Sequence, residues 1–184
     1  MTSIEELESR IDRLESRAAI RELVTKYAVA CDEHDIPGLR TLFTADAVFK
    51  SPSSFMQSSG REAITSMFVE VLKTRGPGYH WTHDLIVNFG DDENTATGVV
   101  YSHAETTPNG VVSIAAMKYL DKYRREAGVW YFSEREIHFF YYVPMTEYLE
   151  TLNQEARLYV GSEKRAADFP ESTQSWKDFE KKHK

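Results

Sequence analysis

The sequence predicts an α+β domain in which a long, curved antiparallel sheet wraps around N-terminal helices. Three observations carry this. Apolar residues recur at helical spacing before residue 76, Gly76-Pro77-Gly78 breaks the pattern, and four long segments joined by short turns follow it. The strands are expected over 81–89, 95–106, 111–123 and 129–142. Gly90-Asp91-Asp92-Glu93-Asn94, Pro108-Asn109-Gly110 and Glu126-Ala127-Gly128 are the hairpin connections. Residues 1–143 are expected to form the domain, and 144–184 a helical extension and arm.

The helical half reads in order. Ser3 caps a helix with Glu5 and Glu6 in its first turn, and Ile4, Leu7, Ile11 and Leu14 form a heptad stripe over residues 3–18. That stripe, with the terminal arms, predicts self-association as a dimer or trimer. A second amphipathic helix continues through Ile20, Leu23, Val24, Tyr27 and Cys31 and closes at Asp32. Asp35-Ile36-Pro37 starts a short helix carrying Leu39, Leu42 and Phe43. A short strand follows at Ala47-Val48-Phe49, and a further helix from Gly60 carries Ile64, Met67, Phe68, Val71 and Leu72. After Pro144 the chain is expected to be helical again, with Tyr148, Leu149, Leu152, Ala156 and Tyr159 on one face, and then to run as an arm through Trp176 and Phe179.

Composition narrows the classes of function. A chain of 184 residues fits one domain with a sizeable core, and a net charge of −7 argues against a broad surface for nucleic acid or anionic membrane. No basic leader precedes an apolar run and no segment has the length to span a bilayer, so a cytoplasmic location is expected. The single cysteine, Cys31, excludes an intramolecular disulfide. Ten Tyr, ten Phe and three Trp supply walls for a pocket that takes a ring-shaped apolar ligand.

The densest chemistry lies in Tyr79-His80-Trp81-Thr82-His83-Asp84. His83 shares the parity of Leu85, Val87 and Phe89, so it is expected to point to the interior, where an imidazole needs a partner. Asp32 and Tyr27 are the candidates upstream. They stand five residues apart, about 140° round an ideal helix, and converge only if Asp32 lies where the helix ends. The plainer alternatives are a core histidine satisfied by backbone, a helix-end carboxylate and a stripe tyrosine. Tyr101 and His103 share one face of the second long strand, and His138 lies with Glu134 and Glu136 on one face of the last. These, with Phe49 and Trp81, make the candidate ligand-binding set. A metal site of His80, His83, His103 and His138 is not expected, because His80 and His83 have opposite strand parity. Nor does any phosphate loop, dinucleotide fingerprint, Ser-His-Asp elbow or Cys-x-x-Cys pair occur, so no cofactor is expected.

Further motifs share an order and spacing. They are Arg17-Ala18-Ala19-Ile20-Arg21-Glu22-Leu23 leading to Tyr27 and Cys31-Asp32, Leu42-Phe43-Thr44-Ala45-Asp46-Ala47-Val48-Phe49, Thr82-His83, Thr95-Ala96-Thr97-Gly98 and Gly128-Val129-Trp130-Tyr131-Phe132. Together they resemble the SnoaL-like branch of the cone-shaped superfamily named for nuclear transport factor 2, over residues 5–143. The resemblance is strongest to cofactor-free lyases such as bile acid 7α-dehydratase, hexachlorocyclohexane dehydrochlorinase and scytalone dehydratase. It implies His83 as general base, Asp32 as the group that holds its tautomer, and Tyr27 as a hydrogen-bond donor to a substrate oxygen. It further implies elimination, by default of water, from a small oxygenated aromatic or polycyclic molecule. Carbon-carbon cleavage releasing formaldehyde from a lignin-derived diaryl compound, ketone isomerisation and polyketide cyclisation are the enzyme alternatives. A ligand carrier or a dioxygenase-type accessory subunit are the others. The chain departs from the bile acid dehydratase and the dehydrochlorinase where these have an arginine or similarly placed polar group on the last strand: Glu134, Glu136 and His138 stand there, and His138 is the nearest match.

Overall fold

The first helix, α1, runs unbroken over Ile4–Asp32, 29 residues, in the computed structural model, which describes residues 2–184. The two helices read from sequence are one because neither Gly nor Pro interrupts 4–32. Ser3 caps it, its hydroxyl accepting from the Glu6 amide at 3.1 Å. Its apolar stripes lie on different faces. Ile4, Leu7, Ile11 and Leu14 are exposed, whereas Ile20, Leu23, Val24, Tyr27 and Cys31 are buried, about 160° round the helix from Ile4 at Ile20.

Next come α2 (Ile36–Thr41), β1 (Phe43–Lys50), the two-residue β2 (Ser58–Ser59) and α3 (Arg61–Lys73). The meander is β3 (Tyr79–Phe89), β4 (Thr95–Thr106), β5 (Ser113–Glu126) and β6 (Val129–Pro144). The sheet order is β2-β1-β6-β5-β4-β3, with β1 parallel to β6 and the meander antiparallel throughout. One sheet face packs on α1 and α3 through a core that includes Ile20, Tyr27, Phe43, Phe68, Val100, Tyr119 and Phe132. Tyr27 stands at its centre, edge-on to Phe43, Phe68, Tyr119 and Phe132 at 5.9–6.4 Å between centroids. Gly98 is required by a close approach: a Cβ there would meet the Tyr123 ring and hydroxyl at 2.8 Å.

The antiparallel meander departs from simple alternation at three bulges. In β3 the register passes from Thr82↔Ser102 to Leu85↔Val100, so His83 and Asp84 together face Tyr101 and parity inverts across them. In β6 one extra residue sits between Phe132 and Glu134 and another between Phe139 and Tyr141.

The expected helix over 148–159 is corrected. Only α4 (Tyr148–Thr151) forms, and then β7 (Ala156–Val160) and β8 (Glu163–Ala166) make a hairpin, with β7 joining β6 in parallel at Tyr142↔Leu158. Leu158 is core and the Arg157 guanidinium is buried, donating to the backbone oxygens of Phe140, Gln154 and Phe169. Three carbonyls and the sheet edge decide this segment more than its own periodicity. The chain then crosses the outer sheet face, where Phe169 packs on His138 and under the Lys118 ammonium, and ends in α5 (Gln174–His183).

Candidate active site

Asp32 meets a histidine of β3, but a different one from the one expected. Asp32 is the last residue of α1, and its carboxylate holds His80 twice. The His80 ring Nδ1 lies 2.5 Å from Oδ1, and the His80 backbone N–H donates to Oδ2 at 2.9 Å. Both side chains are mostly buried, at 11% and 23% exposure for His80 and Asp32. An amide and an imidazole on one carboxylate fix the ring against rotation and set Nδ1 as the protonated nitrogen, leaving Nε2 as the basic one.

His83, expected to be the inward histidine paired with Asp32, lies instead on the exposed face of the sheet. There its Nε2 is 2.6 Å from Nδ1 of His103, the rings stacked 4.8 Å apart, and Trp81 stacks on His103 in turn. The physical reason is the bulge in β3. Inward parity runs His80, Thr82, then Leu85, Val87, Phe89, so extrapolating backward from the apolar strand gives the wrong face. Two polar residues in succession, His83-Asp84, are the only trace of it in the sequence.

The rest of the expected binding set divides likewise. Trp81 and Tyr101 are exposed on the outer face, with Tyr101 stacked on Phe140 at 5.8 Å. Together with His83 and His103, Tyr101 lines an outer groove of ≈ 800 Å³ that Glu171 and Trp176 close on one side. His138 also faces outward, under Phe169, its Nε2 2.8 Å from a Glu136 oxygen but out of line for a hydrogen bond. Phe49 is fully buried core, edge-on to Phe68. Only Tyr27, of the residues expected around the dyad, shares a cavity with His80.

That inner cavity is lined by Tyr27, Cys31, Arg75, His80, Tyr119 and Tyr142, with Met56, Met117, Ile137 and Phe139 closing it. At ≈ 20 Å³ it has room for about one water. Burial drives the Tyr27 hydroxyl well above its ordinary value of 10.0, with Cys31 one turn along adding to the shift. The Cys31 thiol is pushed up to about 12 by the same burial. Both groups are therefore neutral near neutrality, and Tyr27 is a donor rather than a base.

Sequence reading missed Arg135. It projects from β6 into the core at 1% exposure, its Nε and one terminal nitrogen donating to the two oxygens of buried Asp121 at 2.9 and 3.0 Å. Its guanidinium carbon stands 4.0–4.2 Å from the ring centroids of Tyr27, Tyr119 and Phe132. Burial opposes the charge, and Asp121 more than offsets this, so the cation persists. Glu134, Glu136 and His138 face the other way, with Lys50 bridging the two glutamates. The signal lay in register: Asp121, on the parity of Tyr119 and Tyr123, stands opposite Arg135 across the β5–β6 pair.

A curved sheet closed by two helices, with a helix-end carboxylate clamping an inward imidazole, defines a cone-type α+β domain with a partly buried carboxylate–imidazole pair. The chain belongs to the SnoaL-like domain family, whose pattern matches residues 12–136. It is 28% identical over 147 residues to the γ-hexachlorocyclohexane dehydrochlorinase of Sphingobium indicum, covering 74% of this chain and 88% of that protein. The crystal structure of the dehydrochlorinase LinA superposes with a TM-score of 0.70 at 25% identity, over 74% of this chain and 94% of that one. A Novosphingobium aromaticivorans protein thought to be a scytalone dehydratase superposes with a TM-score of 0.67 at 20% identity, over 73% and 91%.

Proposed function

We propose that the protein is a cofactor-independent lyase that eliminates a leaving group, by default water, from a small oxygenated aromatic or polycyclic substrate. The observation that carries this is the Asp32–His80 pair, 2.5 Å between Oδ1 and Nδ1, with His80 on the wall of a cavity that also holds a neutral tyrosine. The dehydrochlorinase and dehydratase names of its relatives and structural neighbours support the class.

In this reading the substrate C–H proton passes to His80 Nε2. The C–H electron pair becomes the new double bond and the bond to the leaving oxygen breaks. The oxygen departs as water after taking a proton from the imidazolium or from a hydrogen-bonded Tyr27. Asp32 stabilises the imidazolium as it forms, and Tyr27 donates to the substrate oxygen on which charge builds. Arg135 does not reach the substrate in this scheme. Its cation lies on the Tyr27 ring and favours negative charge there as the phenol gives up its proton.

The test compares His80→Ala with His83→Ala across a panel of phenolic diols, steroids and hydroxylated polyketides, without added metal or nucleotide. Turnover by wild type, lost on the order of 10²–10⁴-fold in His80→Ala and kept in His83→Ala, is the expected result. Turnover surviving in His80→Ala while His83→Ala loses it would overturn the assignment. Binding without turnover in wild type would make the protein a carrier.

A further inference from the structure

The inner cavity is too small for the substrate that the lyase reading needs, yet two of its wall residues, Arg75 and Tyr142, also line a larger groove outside it. That groove measures ≈ 680 Å³, within the usual range of small-molecule sites. Its walls are chiefly apolar: Phe55, Met67, Val71, Val111, Val143 and Tyr159. Tyr159 comes from β7, beyond the residues matched by the family pattern, so this wall is built by the C-terminal hairpin. Glu70, the acid on the rim, is paired with Lys73.

At the throat between the two spaces stands Arg75. Its guanidinium makes no hydrogen bond or ion pair among the described residues, while every other arginine that lines a cavity or sits in the core is held by a carboxylate or carbonyls. Its charge is felt inside, where it draws the Cys31 thiol down against the larger effect of burial. The neighbouring Tyr142 hydroxyl is fixed by Thr106 at 2.8 Å, which keeps that side of the throat in place. A half-buried cation without a partner at the end of an apolar groove selects an acceptor oxygen at the end of an apolar molecule.

We infer that this groove is the substrate vestibule and that it takes an elongated, ring-bearing apolar molecule of two to four rings, with an anionic oxygen bound at Arg75. The ring body lies between α3, the β4–β5 connection and β7. The reacting edge of the molecule, the C–H carbon with its leaving oxygen, reaches through the throat to His80. This direction of approach rests on the lyase reading, but binding in the groove does not.

Two fluorescent probes of one shape separate the claims: 1-anilinonaphthalene-8-sulfonate carries an anion, and N-phenyl-1-naphthylamine has a similar apolar body without it. Wild type is expected to bind both, the sulfonate more tightly. Arg75→Gln should weaken the sulfonate about tenfold or more and leave the neutral probe within about twofold, and Arg75→Lys should restore part of the loss. Val111→Asp, at a half-exposed position that tolerates a charge, should weaken both about tenfold. His80→Ala should change neither, so a failed lyase reading leaves these results standing. Sulfonate affinity unchanged in Arg75→Gln, or both affinities unchanged in Val111→Asp, would overturn the inference, with melting curves confirming that each variant is folded.

Discussion

Replacing Asp121 by Asn leaves the Arg135 cation in the core with its shape-matched partner but without the opposing charge. Arg135 is 1% exposed and Asp121 3%, so water cannot take over. Removing one member of such a pair costs about 3–5 kcal/mol. The three rings 4.0–4.2 Å from the guanidinium carbon remain and hold back part of the loss, which favours the lower end, about 3 kcal/mol. Tyr123, whose hydroxyl donates to Asp121 at 2.8 Å, can keep a hydrogen bond to the amide oxygen. For a chain of this length, about 3 kcal/mol corresponds to a fall in Tm of roughly 6–12 °C. Urea unfolding followed by tryptophan fluorescence gives the free energy, and calorimetry the Tm. A loss below about 1 kcal/mol would refute the reasoning, since it would mean that Arg135 reaches solvent or another anion. The double variant Asp121→Leu/Arg135→Met should recover most of the stability while losing turnover, because the pair serves the charge beside Tyr27 rather than the fold.

Tyr27→Phe keeps the ring among its aromatic neighbours, so stability should stay within about 1 kcal/mol while turnover falls about 10²-fold; equal turnover would remove Tyr27 from the mechanism. The Cys31 thiol, raised by burial from 9.0 to about 12, is protonated in the folded protein where the unfolded chain ionises. Its contribution to stability is therefore intact below about pH 9 and lost as pH rises toward 12. Wild type should lose about 2 kcal/mol more than Cys31→Ala between about pH 9 and 10.5, and parallel pH profiles would contradict this. The exposed Ile4, Leu7, Ile11 and Leu14 are the seam through which we propose the chain self-associates. Ile11→Glu should shift the mass measured by light scattering at micromolar concentration to that of a monomer, and an unchanged oligomer would put the interface elsewhere.

The sequence by itself determined the fold class, the strand order of the meander, and the places of Tyr27 on the buried face of α1 and of Asp32 at its end. These depend on periods of 3.6 and 2, on Gly-Pro-Gly and Asn-Gly turns and on an end to a helix, all of which act over a few residues. Tyr27 could be placed because the 3.6-residue period of its apolar stripe holds along α1, and Asp32 because the helix ends there. What only the tertiary structure decided is which histidine meets Asp32, which face of β6 is inside, and that residues 156–166 are strands. One extra residue in β3 exchanges His83 for His80, and one in β6 accompanies the turn of Arg135 inward. A bulge is set by the neighbouring strand and by the curvature that the sheet needs to close over α1, so its position is a property of the pair of strands and not of either alone. The C-terminal hairpin follows the same rule, since β7 forms where the free edge of β6 and three carbonyls for Arg157 are waiting.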